Sequence, residues 1–320
     1  MFNLPHIPTA QQLIDISFRE GSKRAKEIRS TRKPRDLRLR KSEEARILTT
    51  SKIAISRLNA IVKNFPSYEQ LPEFYRKLLD IRISKDKYKK SLGAVNWCSD
   101  SVKKIMSESL YNLKRTRDTS LSKKFLGRVS SLINQISKDL DYLISIKEIL
   151  ESFPVLEDIP TLVVAGYPNV GKSTFVKTLT GSEIKIAAYP FTTQNIMIGH
   201  KKIRHQKYQI IDNPGLLDRP MEKRNKIELQ AILAIEHLAD VIFFLIDPTA
   251  DVESQVQLLN DIANRFDTKM IVGINKMDIV DECAVRNIEG KLGEFYVIRL
   301  SAEDYESCET AFRLILQQMV

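Results

Sequence analysis

Apolar residues recur at helical spacing through the first half of the chain and gather into short continuous runs through the second. Ile47, Ala54, Leu58, Ile61 and Phe65 follow one another at steps of seven, four, three and four, which is one stripe of a helix, and Pro66 ends it. The stripe predicts a helix from about Asp36 to Phe65. Ahead of it, Thr9 can cap a helix that opens with Ala10-Gln-Gln and runs past Phe18. A short helix is expected around Pro72 to Ile81. Tyr88, Leu92, Val95, Val102, Ile105 and Leu113 predict a long one from about Lys85 through Leu113. Phe125, Val129, Leu132, Ile136, Leu140 and Leu143 predict one unbroken helix from about Ser120 to Phe153. Long helices with short connections imply an antiparallel bundle.

Beyond Pro160 the pattern changes. Thr161 to Ala165, Val241 to Ile246, Met270 to Ile274 and Tyr296 to Leu300 are short apolar runs separated by amphipathic segments. Such runs are strands buried on both faces, so an α/β domain with a doubly wound, mostly parallel sheet is predicted. Pro154 and Pro160 bracket a short acidic linker, which divides the 320 residues into a basic helical bundle, 1–157, and an α/β domain, 158–320. Each half is long enough to bury its own core.

Composition narrows the class. Hydrophobic residues make up 43% and charged residues 28%, and the longest apolar run is too short to span a bilayer, so no membrane association is expected. The first residues lack the pattern of a secretory signal. Three cysteines, Cys98, Cys283 and Cys308, have no metal-like spacing and fit a reducing, cytoplasmic setting. The four histidines form no plausible nucleophile–base arrangement, and no catalytic residue is assigned.

Charge is divided unevenly. Residues 1–160 hold 32 Lys+Arg against 19 Asp+Glu, and residues 161–320 hold 18 against 21. Ten of the positive charges fall between Lys23 and Lys41, with only Glu27 and Asp36 against them. A solvated helix face explains most charge runs; this density reads as a footprint for nucleic-acid phosphate. No aromatic residue interrupts it, so recognition of RNA shape or backbone is expected rather than base stacking.

The chemistry lies in the second half. Gly166-Tyr-Pro-Asn-Val-Gly-Lys-Ser-Thr174 fits the phosphate-binding loop G-x-x-x-x-G-K-[ST], between a strand and a helix as the motif requires. Backbone N–H groups of Asn169, Val170, Gly171, Lys172, Ser173 and Thr174 can converge on a β-phosphate at the positive end of that helix. Lys172 supplies charge between the β- and γ-phosphates, and the Ser173 hydroxyl is a ligand for Mg²⁺. Asp212 ends an apolar strand and is expected to hold Mg²⁺ through water, with the Gly215 N–H placed to sense the γ-phosphate. Ala188-Tyr-Pro-Phe-Thr-Thr193 is the candidate first switch, with Thr193 chosen over Thr192 to complete the metal shell.

The expected base site is Asn275, Lys276 and Asp278, in the segment Asn275-Lys-Met-Asp278 that follows the strand Met270 to Ile274. The Asp278 carboxylate can accept two hydrogen bonds from the guanine N1–H and 2-amino edge, a pair that adenine cannot offer. Each is worth about 1.5–3 kcal/mol. Lys276 is expected over the base, and the Ser301-Ala302 loop at its 6-oxo group. Together these motifs predict a GTP-binding domain.

The loop at Gly166 and the Tyr189-Pro-Phe-Thr-Thr193 switch resemble the Obg-related branch of translation-factor-type GTPases. Pro8-Thr-Ala10, Tyr88-Lys-Lys-Ser-Leu-Gly93 and Leu126-Gly-Arg128, on a helical bundle ahead of the GTPase domain, resemble the nucleolar GTP-binding protein (Nog) family over essentially the full chain. The chain ends soon after the GTPase domain, like a short archaeal-type relative. The resemblance implies GTP hydrolysis in large-ribosomal-subunit assembly, with rRNA and ribosomal proteins as partners and nucleolar placement in a eukaryote; a monomer is expected. Asn213 replaces the usual threonine after Asp212. Leu216 stands where Ras-like enzymes carry the glutamine that orients water, so slow intrinsic turnover is expected. The same resemblance makes Asn169 a candidate ligand for K⁺. The alternative reading is a nucleotide-sensing, RNA-scaffolding module without useful turnover.

Overall fold

The computed structural model describes residues 4–32, 34–115, 120–181, 184–188, 195–212, 232 and 235–319. It contains two compact units, Met1–Leu71 with Ile83–Glu151, and Pro72–Arg82 with Ser152–Val320.

The first unit is built from α1 (Ala10–Arg29), α2 (Arg35–Asn64), α4 (Lys85–Arg115), α5 (Leu121–Gln135) and α6 (Ser137–Ser152, whose last residue lies across the boundary). Thr9 caps α1 reciprocally: its hydroxyl accepts from the Gln12 N–H, and the Gln12 side chain accepts from the Thr9 N–H. The α2 stripe is buried as its spacing predicts, with Ile47, Ala54, Leu58 and Ile61 all inaccessible. Gly21 allows α1 to lie close on α2, because a Cβ there would meet the Thr50 hydroxyl oxygen at 2.1 Å. Tyr88 of α4 donates to the Pro66 carbonyl at the end of α2.

Two sequence expectations change. The predicted unbroken helix from Ser120 to Phe153 is two helices, α5 and α6, separated at Ile136 (φ −95°, ψ 10°). Ile136 itself is buried and its N–H turns back to Ile133, so the apolar repeat passes through the break without a mark in the sequence. The short helix α3 (Glu73–Asp80) joins the second unit. Its Tyr75 hydroxyl donates to the Pro154 carbonyl at 2.8 Å and accepts from the Leu156 N–H at 3.1 Å. The Tyr75 ring stacks on Phe153.

The second unit is a seven-stranded sheet in the order β2-β3-β4-β1-β5-β6-β7. The strands are β1 (Thr161–Ala165), β2 (Lys185–Ala188), β3 (Asn195–Ile203), β4 (Gln206–Asp212), β5 (Val241–Ile246), β6 (Lys269–Ile274) and β7 (Tyr296–Arg299). Five run parallel, from β4 to β7 in that order, and β2 and β3 add an antiparallel edge. The helices are α7 (Lys172–Thr180), α8 (Val252–Ala263), α9 (Glu282–Lys291) and α10 (Tyr305–Gln318). Leu162, Val164, Phe243 and Leu245 pack with Phe175 of α7 and Phe312 of α10. Their alternates Val163, Ile242, Phe244 and Ile246 point to the opposite face and are equally buried. The sheet is therefore covered on both faces. Its parallel strands all end at one edge, where the chain leaves β1, β4, β5, β6 and β7.

Candidate nucleotide-binding site

The loop between β1 and α7 owes its path to backbone that L side chains resist. Gly166 has φ +139°, and a Cβ there would meet the Leu245 carbonyl oxygen at 2.4 Å. Gly171 has φ +99°, and a Cβ would meet the Asn275 side-chain nitrogen at 2.2 Å. Asn169 is also left-handed, at φ +65°. Lys172 is buried, and its ammonium donates to the carbonyls of Gly166 (2.8 Å) and Tyr167 (2.6 Å), spanning the loop from inside. Val170 contributes its side chain to the core and its carbonyl to Asn275, so only its N–H is left to the loop. Thr174 is exposed on the first turn of α7.

At the end of β4, Asp212 is fully buried and accepts a short hydrogen bond from the Ser173 hydroxyl. A hydroxyl and a carboxylate oxygen brought together beside the loop are hard donors of the kind Mg²⁺ takes. Thr193, Gly215 and Leu216 lie outside the described residues.

Asn275 joins three loops. Its amide N–H donates to the Val170 carbonyl (2.8 Å), and its amide oxygen accepts from the Ala302 N–H (2.8 Å). Asp278 accepts from the Ser301 hydroxyl (2.7 Å), and the Ser301 N–H donates to the Ser307 hydroxyl (2.9 Å). The structure thus brings together Val170, Gly171, Asn275, Asp278, Ser301 and Ala302 as the sequence order suggested.

A further set was not foreseen. Lys276, at φ +62°, sets its ammonium 2.5 Å from a carboxylate oxygen of Asp247, just past β5. The other Asp247 oxygen accepts from the Thr249 N–H (2.8 Å) and hydroxyl (2.6 Å). Gln255 of α8 grips the Asp247 peptide from both sides, accepting from its N–H and donating to its carbonyl. Burial alone would raise the Asp247 carboxyl; the Lys276 ammonium and the Thr249 donors outweigh it and hold the group below its ordinary value. A carboxylate ending a buried strand, in Ile246-Asp-Pro-Thr249, was the available signal.

A phosphate-binding loop, a strand-end aspartate and a base-reading segment at the carboxyl edge of a parallel sheet define a GTPase domain. Residues 2–157 match the family model described as NOG1 N-terminal helical domain, and residues 161–276 match the one described as 50S ribosome-binding GTPase. An uncharacterized protein of Methanocaldococcus jannaschii is 38% identical, over 88% of this chain and 82% of its own length. Nucleolar GTP-binding protein 1 of Encephalitozoon cuniculi is 32% identical over 86% of this chain, and that of Drosophila melanogaster 30% over 86%. The matches span only 53% and 43% of those two relatives. The chain belongs to the nucleolar GTP-binding protein family, as a GTP-binding protein with a GTPase domain. Among the described residues, no helix is long and apolar enough to cross a membrane.

The Asp247–Lys276 pair generates a pH-dependent prediction. Because the folded-state carboxyl titrates below its unfolded value, its contribution is complete at neutral pH and is lost as pH falls through the folded-state value. Asp247→Asn should therefore cost about 1–2 kcal/mol at neutral pH, discounted for the half-open Lys276. The difference from the native protein should shrink below the carboxylate range. Thermal unfolding of both proteins across that range checks it; a constant difference at every pH would refute the pairing.

Proposed function

We propose that this chain is a GTP-switched factor acting in assembly of the large ribosomal subunit. It binds GTP at the sheet edge, hydrolyses it slowly, and contacts rRNA through its basic helical half. The convergence of the phosphate-binding loop with Asp278, through the single Asn275 amide, carries the nucleotide part of this reading. The charge between Lys23 and Lys41, together with the ribosome-binding description of the matched GTPase model, supports the RNA part.

In this reading Lys172 and the N–H groups from Asn169 to Thr174 hold the phosphates. Mg²⁺, when bound, neutralises phosphate charge; Ser173 and Thr193 would hold it directly and Asp212 through water. The Gly215 N–H senses the γ-phosphate. Asp278 reads the guanine edge, Lys276 lies over the base, and the Ser301–Ala302 backbone meets the 6-oxo group. The Asn275 amide fixes the loops through its oxygen and one of its two N–H donors, and the second N–H is left to donate to an acceptor on the guanine base. The protein acts as a cytoplasmic monomer, or in the nucleolus of a cell that has one.

Asp278→Asn replaces one acceptor of the guanine edge by a donor, which suits xanthine better. GTP should bind more weakly by a few kcal/mol while xanthosine triphosphate competes. Unchanged GTP affinity, in a titration with both nucleotides, would remove Asp278 from the base site.

The basic run divides in two. Arg29 binds Ser42 and Glu43, and Arg38 binds the Arg29 and Thr31 carbonyls, so these two hold the α1–α2 connection. Lys23, Lys26, Arg32 and Arg35 carry no ion pair to a described residue. Replacing those four by Gln should weaken co-sedimentation with large-subunit particles and flatten the salt dependence of RNA binding by roughly 0.7–0.9 log units per lost phosphate contact. GTP affinity should be unchanged. Native co-sedimentation should be stronger with GTP than with GDP. Binding indifferent to nucleotide, with no measurable hydrolysis on those particles, would favour a scaffold.

Potassium is the third test. With Leu216 in place of a water-orienting glutamine, a monovalent cation beside the phosphates would neutralise charge developing on the β–γ bridge. The Asn169 amide oxygen suits a weakly hydrated cation. Because Asn169 has φ +65°, Asn169→Gly removes the amide without straining the loop, whereas Ala would strain it. Hydrolysis should be faster in K⁺ than in Na⁺ at equal ionic strength, and the variant should lose that difference while still binding GTP. Equal native rates in the two salts would end the idea.

A further inference from the structure

The basic run contains no aromatic residue, yet the fold sets apolar side chains from elsewhere against its end. Leu37, Arg40, Lys41 and Glu44 occupy one face of α2, at steps of three, one and three. Opposite them stand Leu110, Leu113 and Lys114 of α4, and the seven side chains enclose an open groove of about 210 Å³. Leu37, which lines the groove, is 43% exposed, and Tyr111, which does not line it but stands three residues before Lys114 on α4 and so on the neighbouring strip of that helix, is 57% exposed. The Arg115 guanidinium lies 5.1 Å from the Tyr111 ring centroid and bonds its hydroxyl, which holds the ring in place. Arg40 donates one guanidinium N–H to the Lys114 carbonyl, fixing the two helices across the groove.

We propose that this groove takes one unpaired nucleotide of the RNA that the basic run contacts. The base lies on Leu37, Leu110 and Leu113 against the Tyr111 ring, and its flanking phosphates meet Arg40, Lys41 and Lys114. The inference rests on the RNA-contact reading above and adds how that RNA is recognised: by an extruded base as well as by backbone charge. Charge complementarity favours this occupant, with three cations on the groove against the single Glu44 carboxylate. So does continuity. Arg40 and Lys41 belong both to the groove and to the run that continues through Arg35, Arg32, Lys26 and Lys23. A long RNA strand can use Lys23, Lys26, Arg32 and Arg35 together with the groove, whereas a short acidic peptide would use only the groove.

The test uses the full chain with two labelled RNAs at fixed salt: a fully paired duplex, and the same duplex carrying one unpaired adenosine. The native protein should bind the bulged duplex on the order of tenfold tighter, the scale of one stacked base. Leu37→Ser combined with Tyr111→Ala should bring that ratio close to one, leaving affinity for the paired duplex and its salt slope unchanged. Both side chains are exposed, and an unchanged helical circular dichroism signal verifies the fold. Native binding that is equal for the two RNAs overturns the inference and leaves the charge-based contact standing; binding to neither overturns both. A bulge preference that survives in the double variant also overturns it. So does an acidic helical peptide that binds the native chain more tightly than either RNA.

Discussion

The nucleotide end of this molecule depends on one buried amide. Asn275 sits where β6 ends, and its two polar ends satisfy backbone groups from segments more than a hundred residues apart in one direction and 27 in the other. Either backbone group would otherwise be buried without a partner, which costs about 1–3 kcal/mol. The amide therefore sets the spacing between the loop that follows β1 and the loop that follows β7. Gly171 is the other half of this constraint, since a side chain there would occupy the place of the Asn275 nitrogen. Phosphate-side and base-side loops are registered to each other by this contact and by the parallel strands beneath, not by the ligand.

Much of this was legible because the motifs carry their own geometry. A glycine-rich loop after a buried strand, a strand-end aspartate and Asn275-Lys-Met-Asp278 all require the same strand ends to lie side by side. The mostly parallel sheet follows from the near-continuous apolar runs. The Thr9–Gln12 capping box and the α2 stripe were legible for a similar reason, since both are local. What was not legible is non-local. Asp247, Thr249 and Gln255 become a support for Lys276 only when β5 and β6 pair in the observed register, Ile246 opposite Ile274. The kink at Ile136 leaves the apolar repeat intact. An eight-residue helix such as α3 does not announce which core receives its Tyr75.

Charge counting shows the same limit more sharply. The sequence offers ten cations between Lys23 and Lys41 as equals. In the fold, Arg29 reaches Glu43, a carboxylate with only 6% of its side chain exposed, and Arg38 closes the turn ahead of α2 by bonding two carbonyls. These two guanidiniums act as structural donors, a task for which the planar, multi-donor head of arginine is suited and lysine is not. The cations left for a partner are fewer: Lys23, Lys26, Arg32 and Arg35 carry no ion pair to a described residue, and Arg40 spends one N–H on the Lys114 carbonyl and keeps its other donors.

On the proposed function, the two halves would meet anions by different physics. The sheet half carries 18 basic against 21 acidic residues, so net charge cannot be what attracts a nucleotide to it. On the proposed reading, attraction there comes from the N–H groups at the start of α7 and the buried Lys172, which act over a few ångströms in a shielded loop and outweigh a diffuse negative surface. Such a site is selective and weakly sensitive to salt. The helical half, with 32 basic against 19 acidic residues, acts through exposed charge whose reach is a Debye length, about 8 Å at physiological ionic strength. That field recruits any polyanion and discriminates poorly among them. Selectivity on the helical side must then come from short-range packing, and the apolar floor that α2 and α4 form beside Arg40 and Lys41 is built from the residue types that could supply it.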